Sequence, residues 1–265
     1  MVVYAGQGDA RRSMGLLWRT GSSEAVRTSP GPKPALSVEK IVDAGIALAD
    51  AEGMEGLSMR AVGEKLGRTA MALYTYVSNK NELVDLMYDR TLAELPTDYS
   101  EHADWRSAVT AWAGDNWDFY LRHPWMLQVS QARSVLGPNE FQALETLLVI
   151  LYGAGLPAKD VRRLVGTLNN FVRGAVRIVA ESRKAQAETG VSDDEWWLTR
   201  SSLLEEVAPD FASRYPMMTK LESERAFQLE DETVPYLEQE ARETYRAGLE
   251  TVLDGVEVAV RRARS

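Results

Sequence analysis

The chain has no cysteine and only two histidines, His102 and His123, among its 265 residues. Disulfide bonds and cysteine-based zinc sites are therefore excluded, and imidazole-based metal or acid–base chemistry has little to draw on. No apolar run approaches the ~20 residues that a membrane-spanning helix requires. The first residues also lack the positive start and long apolar core of a signal peptide, so we expect a cytoplasmic protein.

Positive charge is scarce as well. The formal net charge is -9, which for the chain as a whole argues against a nucleic-acid partner. The charge is unevenly spread, because the segment 56–80 has four basic side chains and one acidic. These residues are Arg60, Lys65, Arg68 and Lys80 against Glu64. A partner meets the field within a Debye length of ~8–10 Å, so a small basic region on an acidic molecule suits a polyanion.

Apolar residues recur at spacings of three and four along most of the chain from Ser37 onward, which is typical of amphipathic helices. Capping patterns begin several of these helices, at Ser37, Ser58, Asn79 and Ser192. No convincing series of strands is present, so the predicted fold class is all-α. Helices are expected at 38–52, 58–66, 70–76, 80–95, 105–123, 138–153, 157–189 and 235–264, with a further one after Ser192 and an irregular stretch over 206–233.

Two short helices joined by a turn at Gly67 form a helix-turn-helix unit. Apolar spacing directs Leu73 and Val77 inward. The outward positions of the second helix are then Thr69, Ala70, Met71, Tyr74 and Tyr76. Small residues such as Ala70 let the backbone enter a major groove. The hydroxyls of the two tyrosines and the ammonium of Lys80 suit phosphate oxygens. Arg60 is within reach of a guanine edge or a phosphate. The alternative interpretation is a generic helical corner with solvated polar residues.

Residues 1–36 show no apolar period and are rich in Gly, Ser and Pro. They are also basic, which leaves two interpretations open. One is a disordered tail or a mis-assigned start, and the other is a basic arm that follows the minor groove or the phosphates. The predicted organisation is a flexible basic N-terminal arm over 1–36, a helix-turn-helix DNA-binding domain over 37–95, and a helical ligand-binding and dimerisation domain over 96–265.

The string LSMRAVGEKLGRTAMALYTYVSNKNELVDLM, residues 57–87, resembles the tetracycline-repressor (TetR) family of transcriptional regulators. It departs from the family pattern at Gly63, where alanine is usual, and at Arg68-Thr69, where many members carry Val-Gly or similar. The second departure bears on which bases are read. The segments 104–126 and 245–260 also look like the C-terminal effector domain of the subgroup closest to the tetracycline repressor.

The resemblance implies a homodimer that binds a palindromic double-stranded DNA operator and is released by a small-molecule effector, most often as a repressor. Carried over by position, base contacts fall to Arg60, Thr69, Ala70 and Met71, with Arg68 beside them. Phosphate contacts fall to Ser58, Tyr74, Tyr76 and Lys80. The long helix 157–189 and the last helix resemble the pair that builds the dimer interface of the family, although both could instead be internal core helices.

An effector pocket is expected between the helix 105–123, the segment 125–133 and the inner face of the helix 157–189. Its predicted walls are Trp112, Trp117, Met126, Phe171 and Phe119, with Asn116, Asn170, and Arg173 or Arg177 as polar contacts. The alternative is that these aromatic side chains, at helical spacing, belong to the core. No metal site or cofactor is expected.

Two rival functions remain at this point. The first is an all-α small-molecule-binding protein or enzyme with an incidental helix-turn-helix corner. An enzyme needs a site, and no set of catalytic residues is apparent, because the two histidines lack spaced partners and the carboxylates fall mostly on solvated helix faces. The second is an architectural or activating DNA-binding protein without a ligand. A cavity in the effector half would distinguish a ligand-responsive regulator from that second rival.

Overall fold

A computed structural model describes residues 3–18, 36–228 and 233–264. Helices dominate these residues, which confirms the all-α prediction. The elements in chain order are β1 (Val3–Tyr4), α1 (Ala10–Trp18), α2 (Val38–Gly56), α3 (Met59–Lys65), α4 (Ala70–Tyr74), α5 (Lys80–Leu92), α6 (Trp105–Arg122), a 3-10 helix (Pro124–Gln128), β2 (Val129–Ser130), α7 (Pro138–Gly153), α8 (Ala158–Thr189), α9 (Asp193–Val207), α10 (Phe211–Arg214), α11 (Pro216–Ser223) and α12 (Tyr236–Arg264). Within the described ranges, no helix is long and apolar enough to cross a membrane.

The chain divides into two compact units. The first comprises the residues up to Arg173 together with those from Glu257 onward, and the second comprises Gly174–Val256. In the first unit α5 packs against α1, α2 and α7, and α7 packs against α6. The predicted domain border between residues 95 and 96 therefore falls inside this unit.

Side-chain caps begin the helices at the expected residues. The hydroxyls of Ser37 and Ser58 each accept a hydrogen bond from the backbone N–H three residues on, at 3.3 and 3.1 Å. Asn79 does the same for Glu82 N at 2.9 Å. The Glu82 carboxylate accepts from Ser78 N rather than from Asn79 N, so the expected capping box is only half formed. Each cap satisfies an otherwise unpaired first-turn N–H, which is why the helices begin there.

Gly53, the predicted stop of the first long helix, has a φ of 69° within α2. This is the left-handed region, which glycine enters without steric cost. The regular part of α2 ends at this residue, and one further turn runs to Gly56. The sequence predicts an end of the helix before Gly53, and the structure instead has a kink there with one more helical turn beyond it.

The N-terminal segment departs from the expected flexible arm. Over residues 3–18 it forms β1, which pairs in parallel with β2, and α1, which packs on α5. The helix buries only Ser13 and Leu17. Two buried positions are too few to produce an apolar period, which explains why the sequence did not predict the helix. The rest of the predicted arm, 19–35, lies outside the described residues.

The second unit contains the end of α8, the helices α9 to α11 and most of α12. Ser192 caps α9 as predicted, accepting from Glu195 N at 3.2 Å. The stretch expected to be irregular includes the short helices α10 and α11. Arg183 of α8 donates two hydrogen bonds to the carboxylate of Glu238 in α12, at 2.6 and 3.2 Å, and this paired geometry ties the two long helices together.

Candidate nucleic-acid interface and effector cavity

The short helices α3 and α4 are held by a small apolar core. Val62, Leu73 and Val77 are each 0% exposed, so the inward positions are those that the apolar spacing predicts. The turn between the helices contains Gly67 with a φ of 63°. Because the inward residues and the turn are fixed, the opposite side of α4 is presented outward, as in the recognition helix of a helix-turn-helix unit.

The turn approaches α3 most closely at Gly63. A Cβ atom at this position would lie 2.7 Å from the backbone oxygen of Arg68 and 3.2 Å from Ala70 N. The Gly63 carbonyl also accepts a hydrogen bond from Arg68 N at 2.8 Å. The glycine thus lets the start of α4 approach α3 more closely than alanine would permit.

The predicted DNA contacts form what we call the recognition face. Its exposed members are Ser58, Arg60, Arg68, Thr69, Met71 and Tyr74, and its half-buried members are Ala70, Tyr76 and Lys80. Met71 is 74% exposed and Tyr74 is 42% exposed, although buried positions are available to apolar side chains on the same helix. Side chains of this size held outward on a packed helix are candidates for partner contact.

The cations of the recognition face differ in how far they are already engaged. Arg60 pairs with Glu64 at 2.8 Å, and this exposed pair contributes little to stability. Arg68 has no ion-pair partner among the described residues. Lys80 donates from Nζ to the carbonyl of Met54 at 3.1 Å, and its partial burial lowers its pKa. An ammonium group has three donors, so two remain for a phosphate.

Arg12 of α1 lies directly behind the recognition face. Its Nη2 donates to the carbonyl of Tyr76 at 3.2 Å, just beyond the end of α4. Its Nε lies 3.3 Å from Oε1 of Glu82, a carboxylate that is 1% exposed. The same carboxylate accepts from Ser78 N at 2.5 Å. The N-terminal segment therefore fixes the junction between α4 and α5.

Two further acids on α5, Asp85 and Asp89, bind backbone N–H groups from distant parts of the chain. Asp85 accepts from Gly6 N at 2.9 Å. Asp89 accepts from the backbone N–H groups of the α7 residues Asn139 and Glu140, both at 2.9 Å. Burial raises the pKa of both aspartates, and the backbone hydrogen bonds partly oppose the shift. Asp89 thus caps α7 from the neighbouring helix.

His123, at the end of α6, connects α6 to α2 and α5. Its Nδ1 lies 2.8 Å from Oδ1 of Asp50 in α2, and its Nε2 lies 3.0 Å from Oε2 of Glu94, just beyond α5. Trp125 donates to the same Asp50 oxygen at 2.8 Å. The predicted helix stop at His123 is therefore also a polar connection between α6 and two helices that border the recognition face.

A cavity of ≈ 340 Å³ lies between α5, α6, α7 and the first turns of α8. This volume is within the range of small-molecule sites, ~300–1,000 Å³. Four aromatic side chains line it, namely Tyr88, Trp112, Tyr120 and Phe141. The polar and charged lining residues are Asn116, Gln131, Ser134, Glu140, Thr146 and Asn169.

Arg173 supports one wall of this cavity without lining it. Its guanidinium donates to Tyr120 Oη at 3.3 Å and to the carbonyls of Met126, Leu127 and Val129 at 3.1 to 3.4 Å. It also lies 5.1 Å from the centre of the Tyr120 ring. The Arg173 guanidinium therefore supplies donors to backbone carbonyls of the 3-10 helix and of β2.

Two family descriptions match the chain. "Bacterial regulatory proteins, tetR family" matches residues 41–87, and "Tetracyclin repressor-like, C-terminal domain" matches residues 96–260, more than half of the chain. The chain belongs to the TetR family of bacterial regulatory proteins. Both β1 and α1 lie outside the matched ranges, so the contacts of Arg12 are additional to what the TetR-family match covers.

Curated relatives agree with membership of the TetR family. The "HTH-type transcriptional repressor DrrR1" of Streptomyces coeruleorubidus is 38% identical over 262 residues, which cover 98% of this chain and 90% of that protein. An "HTH-type transcriptional regulator" of Saccharopolyspora erythraea is 30% identical over 190 residues, 69% of this chain and 77% of the other. These relatives are transcriptional regulators, and the helix-turn-helix prediction is confirmed.

A solved structure of similar fold is the Streptomyces coelicolor TetR family protein ActR in complex with actinorhodin. It superposes with a TM-score of 0.65 and 21% sequence identity, covering 85% of this chain and 96% of that one. Identity at this level establishes the shared TetR-family fold.

Trp112 and Asn116, both predicted for the effector site, line the cavity of this TetR-family chain. Trp117 and Met126 do not, because they are 3% and 0% exposed and belong to the core around α6. Helical apolar spacing identifies an inward residue but does not distinguish solid core from the wall of a cavity, which is why the sequence placed these two side chains in the expected pocket.

On α8 the cavity wall consists of Val165 and Asn169, which are four residues apart and share one face. The predicted Phe171, Asn170 and Arg177 are not lining residues. Asn170 is exposed because one residue turns a helix by about 100° from Asn169. Arg177 is also exposed and pairs at 2.6 Å with the carboxylate one turn on. The sequence identified the correct helix but not the correct face.

Sequence reasoning missed the walls that α5 and α7 contribute, including Tyr88, Glu140 and Phe141. A signal was available on α5, where Tyr88, Leu92 and Leu95 recur at spacings of four and three. That spacing is equally typical of core, and the presence of a cavity depends on how four helices meet. The missing information was therefore tertiary.

Proposed function

We propose that this chain is a ligand-responsive repressor that binds a palindromic operator as a homodimer in the cytoplasm. A small molecule in the cavity between α5, α6, α7 and α8 releases it from the operator. The observation that carries the proposal is the recognition face, an outward group of cations, hydroxyls and the exposed Met71 on an otherwise acidic TetR-family chain. The 38% identical relative is named as a repressor, which supports repression over activation.

The recognition face supports a division of roles. Tyr74, Tyr76, Ser58 and Lys80 hold phosphates through hydroxyl and ammonium donors. The hydroxyl oxygen of Ser58 already accepts from Ala61 N, and its O–H remains free to donate. Base edges then fall to five residues on α3, in the turn that follows it and at the start of α4, namely Arg60, Arg68, Thr69, Ala70 and Met71. Ala70 is small enough to let the backbone approach the groove.

The exposed apolar surface supports a homodimer. Ile178 on α8 and Val258 on α12 are 50% and 45% exposed. In the second unit, Leu198 and Val207 of α9 are 72% and 74% exposed. Exposed apolar side chains in such number are typical of a surface that another chain covers. A second copy would place two recognition faces one DNA turn apart, ~34–36 Å, as a palindrome requires.

The contacts of α5 and α6 support release by a ligand. Both helices line the cavity, and both reach the region of the recognition face. His123 joins α6 to α2 through Asp50 and to the end of α5 through Glu94, whereas Glu82 joins α5 to the end of α4 through Arg12. A ligand that shifts these helices changes the recognition face, with a coupling of typically ~1–3 kcal/mol that must also act in reverse.

Selection of duplexes from a random pool by the full chain tests the proposal, together with light scattering of the purified protein. We expect a palindromic consensus and the mass of a dimer. Met71→Ala should relax the base preference at a position symmetric in the two half-sites. The proposal fails if the chain is monomeric and retains no duplex at low ionic strength.

A further inference from the structure

The chemistry of the cavity distinguishes between effectors of different charge. Among the described residues that line it, Glu140 is the only charged one, and none of these lining residues is a lysine, arginine or histidine. Its Oε2 accepts from Leu136 N at 2.8 Å and from the Ser134 hydroxyl. Oε1 has no hydrogen-bond partner among the described residues. One carboxylate oxygen is therefore held in place, and the other is available to a ligand.

Several neutral polar side chains of the lining each use one donor on a backbone carbonyl of their own helix. Asn116 and Asn169 each donate from Nδ2 to the backbone carbonyl four residues earlier, at 2.8 and 2.9 Å. A carbonyl accepts only from the amide nitrogen, so each asparagine has its Oδ1 left for a ligand. The Thr146 hydroxyl likewise donates to Gln142 O at 2.8 Å. The cavity consequently offers oxygen acceptors at three further positions.

The surrounding charges favour the same sign of ligand. The electrostatic influence of Glu140 reaches both Tyr88 and the buried Asp85, because it contributes to raising the pKa of each. Arg173 is the nearby cation, and it lies behind Tyr120 with four oxygen acceptors already bound. Gln131 and the tyrosine hydroxyls provide only neutral donors. An anionic ligand would find no charge partner in this lining.

Four aromatic rings and one carboxylate form a suitable site for an aromatic cation. Tyr88, Trp112, Tyr120 and Phe141 line the cavity, and the face of an aromatic ring attracts a cation. Arg173 already lies over the Tyr120 ring, so the other three rings remain for a ligand. Resting on the proposed effector role of the cavity, we infer that the effector class is a planar aromatic amine or iminium that carries one positive charge. Glu140 is the residue that selects this charge, and the oxygens of Asn116 and Asn169 receive its polar substituents.

Three xanthene-ring probes test the inference on the full chain without DNA. Pyronin Y is cationic, xanthone is neutral and fluorescein is anionic. We expect pyronin Y to bind at least about tenfold more tightly than xanthone, a difference of ~1.4 kcal/mol, since only the cation can pair with Glu140 and gain from contact with the ring faces. Fluorescein should bind weakest. Calorimetric titration measures all three.

Glu140→Gln removes the charge and keeps an oxygen that accepts from Leu136 N. The substitution should weaken the binding of pyronin Y by about tenfold and change the affinity for xanthone by no more than about twofold. Glu145→Gln is the matched control, because Glu145 is an exposed acid on the same helix that does not line the cavity. The inference is overturned if the affinity of xanthone or fluorescein equals that of pyronin Y, or if the two variants have the same affinity for pyronin Y. It is also overturned if pyronin Y shows no binding up to about 1 mM.

The outcome for the proposed function is separate. Duplex binding by the wild-type chain and by Glu140→Gln is measured without any probe. If duplexes bind but the three probes show no charge preference, the effector class is wrong and the repressor stands. If pyronin Y binding depends on Glu140 but no duplex is retained, the cavity chemistry stands and the proposed function is wrong.

Discussion

Asp50 and His123 form a hydrogen bond of 2.8 Å between Oδ1 and Nδ1, while the other ring nitrogen lies 3.0 Å from Glu94. The imidazole is thus placed between two acceptors, and only its protonated form can donate to both. Burial acts to lower the pKa of His123, but the hydrogen bonds and charges of Asp50 and Glu94 outweigh it and raise the pKa above the ordinary 6.5.

A raised pKa in the folded state has a definite consequence for stability. The contribution is fully present below the unfolded value near 6.5, and it is lost as pH rises through the folded value. We therefore expect the free energy of unfolding to decline as pH rises above about 6.5 and through the raised pKa of His123, and His123→Gln to remove that decline. Urea denaturation at several pH values measures it. His102→Gln serves as the control, and an unchanged pH dependence in His123→Gln would contradict the assignment.

Tyr74→Phe and Arg68→Ala separate two kinds of DNA contact. Loss of the Tyr74 hydroxyl should weaken the binding of every duplex by the same amount, about 1 kcal/mol for one hydrogen bond. Loss of Arg68 should narrow the preference for the selected operator over random DNA by about 1–3 kcal/mol if it reads a base. Fluorescence anisotropy on both duplexes gives these values. If Arg68 instead holds a phosphate, its loss lowers the salt slope by ~0.9 and leaves the preference unchanged.

Gly63→Ala should destabilise the protein even though alanine is the better helix former. The added Cβ would meet the Arg68 backbone oxygen at 2.7 Å, and the turn must move to relieve it. Overpacking of this kind costs ~1–3 kcal/mol, against a gain in propensity of ~1 kcal/mol. Gly114→Ala on α6 is the control, because nothing lies within 4 Å of its Cβ position, and it should stabilise. Thermal unfolding measures the stability of both variants. An equal gain in stability for Gly63→Ala and Gly114→Ala would refute the close approach of the turn to Gly63.

Arg12→Ala tests whether the N-terminal segment positions the recognition face. Arg12 binds the Tyr76 carbonyl and Glu82, whereas the neighbouring Arg11 is exposed and has no partner among the described residues. Both substitutions remove one positive charge from α1. We expect Arg12→Ala alone to reduce the ratio of operator to random-duplex affinity, by about 1–2 kcal/mol for a lost charge-assisted bond. Equal effects of the two variants would show that only net charge matters.

Local signals were sufficient to predict most of the helices and the recognition face. Ser37 and Ser58 cap the helices whose starts they mark, because a cap bonds an N–H only three residues away. The spacing of Leu73 and Val77 fixes the inward side of α4, and the outward side follows from it. The family match begins at residue 41 and covers this region.

Long-range contacts explain what sequence reasoning did not find. Helix α1 contacts α5 through Arg12 and Glu82, which are 70 positions apart, and no periodicity records such a pair. The cavity walls on α5 and α7 depend on the angle at which the helices meet. Asn169 and Asn170 illustrate the limit, because adjacent asparagines look alike in the sequence and only one of them faces the cavity.

Helix α5 binds three separate parts of the chain through its row of buried acids, and this matters for engineering hybrids. Glu82 holds α1, Asp85 holds Gly6 and Asp89 holds the start of α7. A hybrid regulator that exchanges DNA specificity by grafting residues up to the end of α4 would take Arg12 and Gly6 from one parent and their acceptors Glu82 and Asp85 from the other. Asp89 and its α7 donors would still come from the same parent. A graft that takes residues 3–92 from the same parent would still have to match the α7 donors of the recipient.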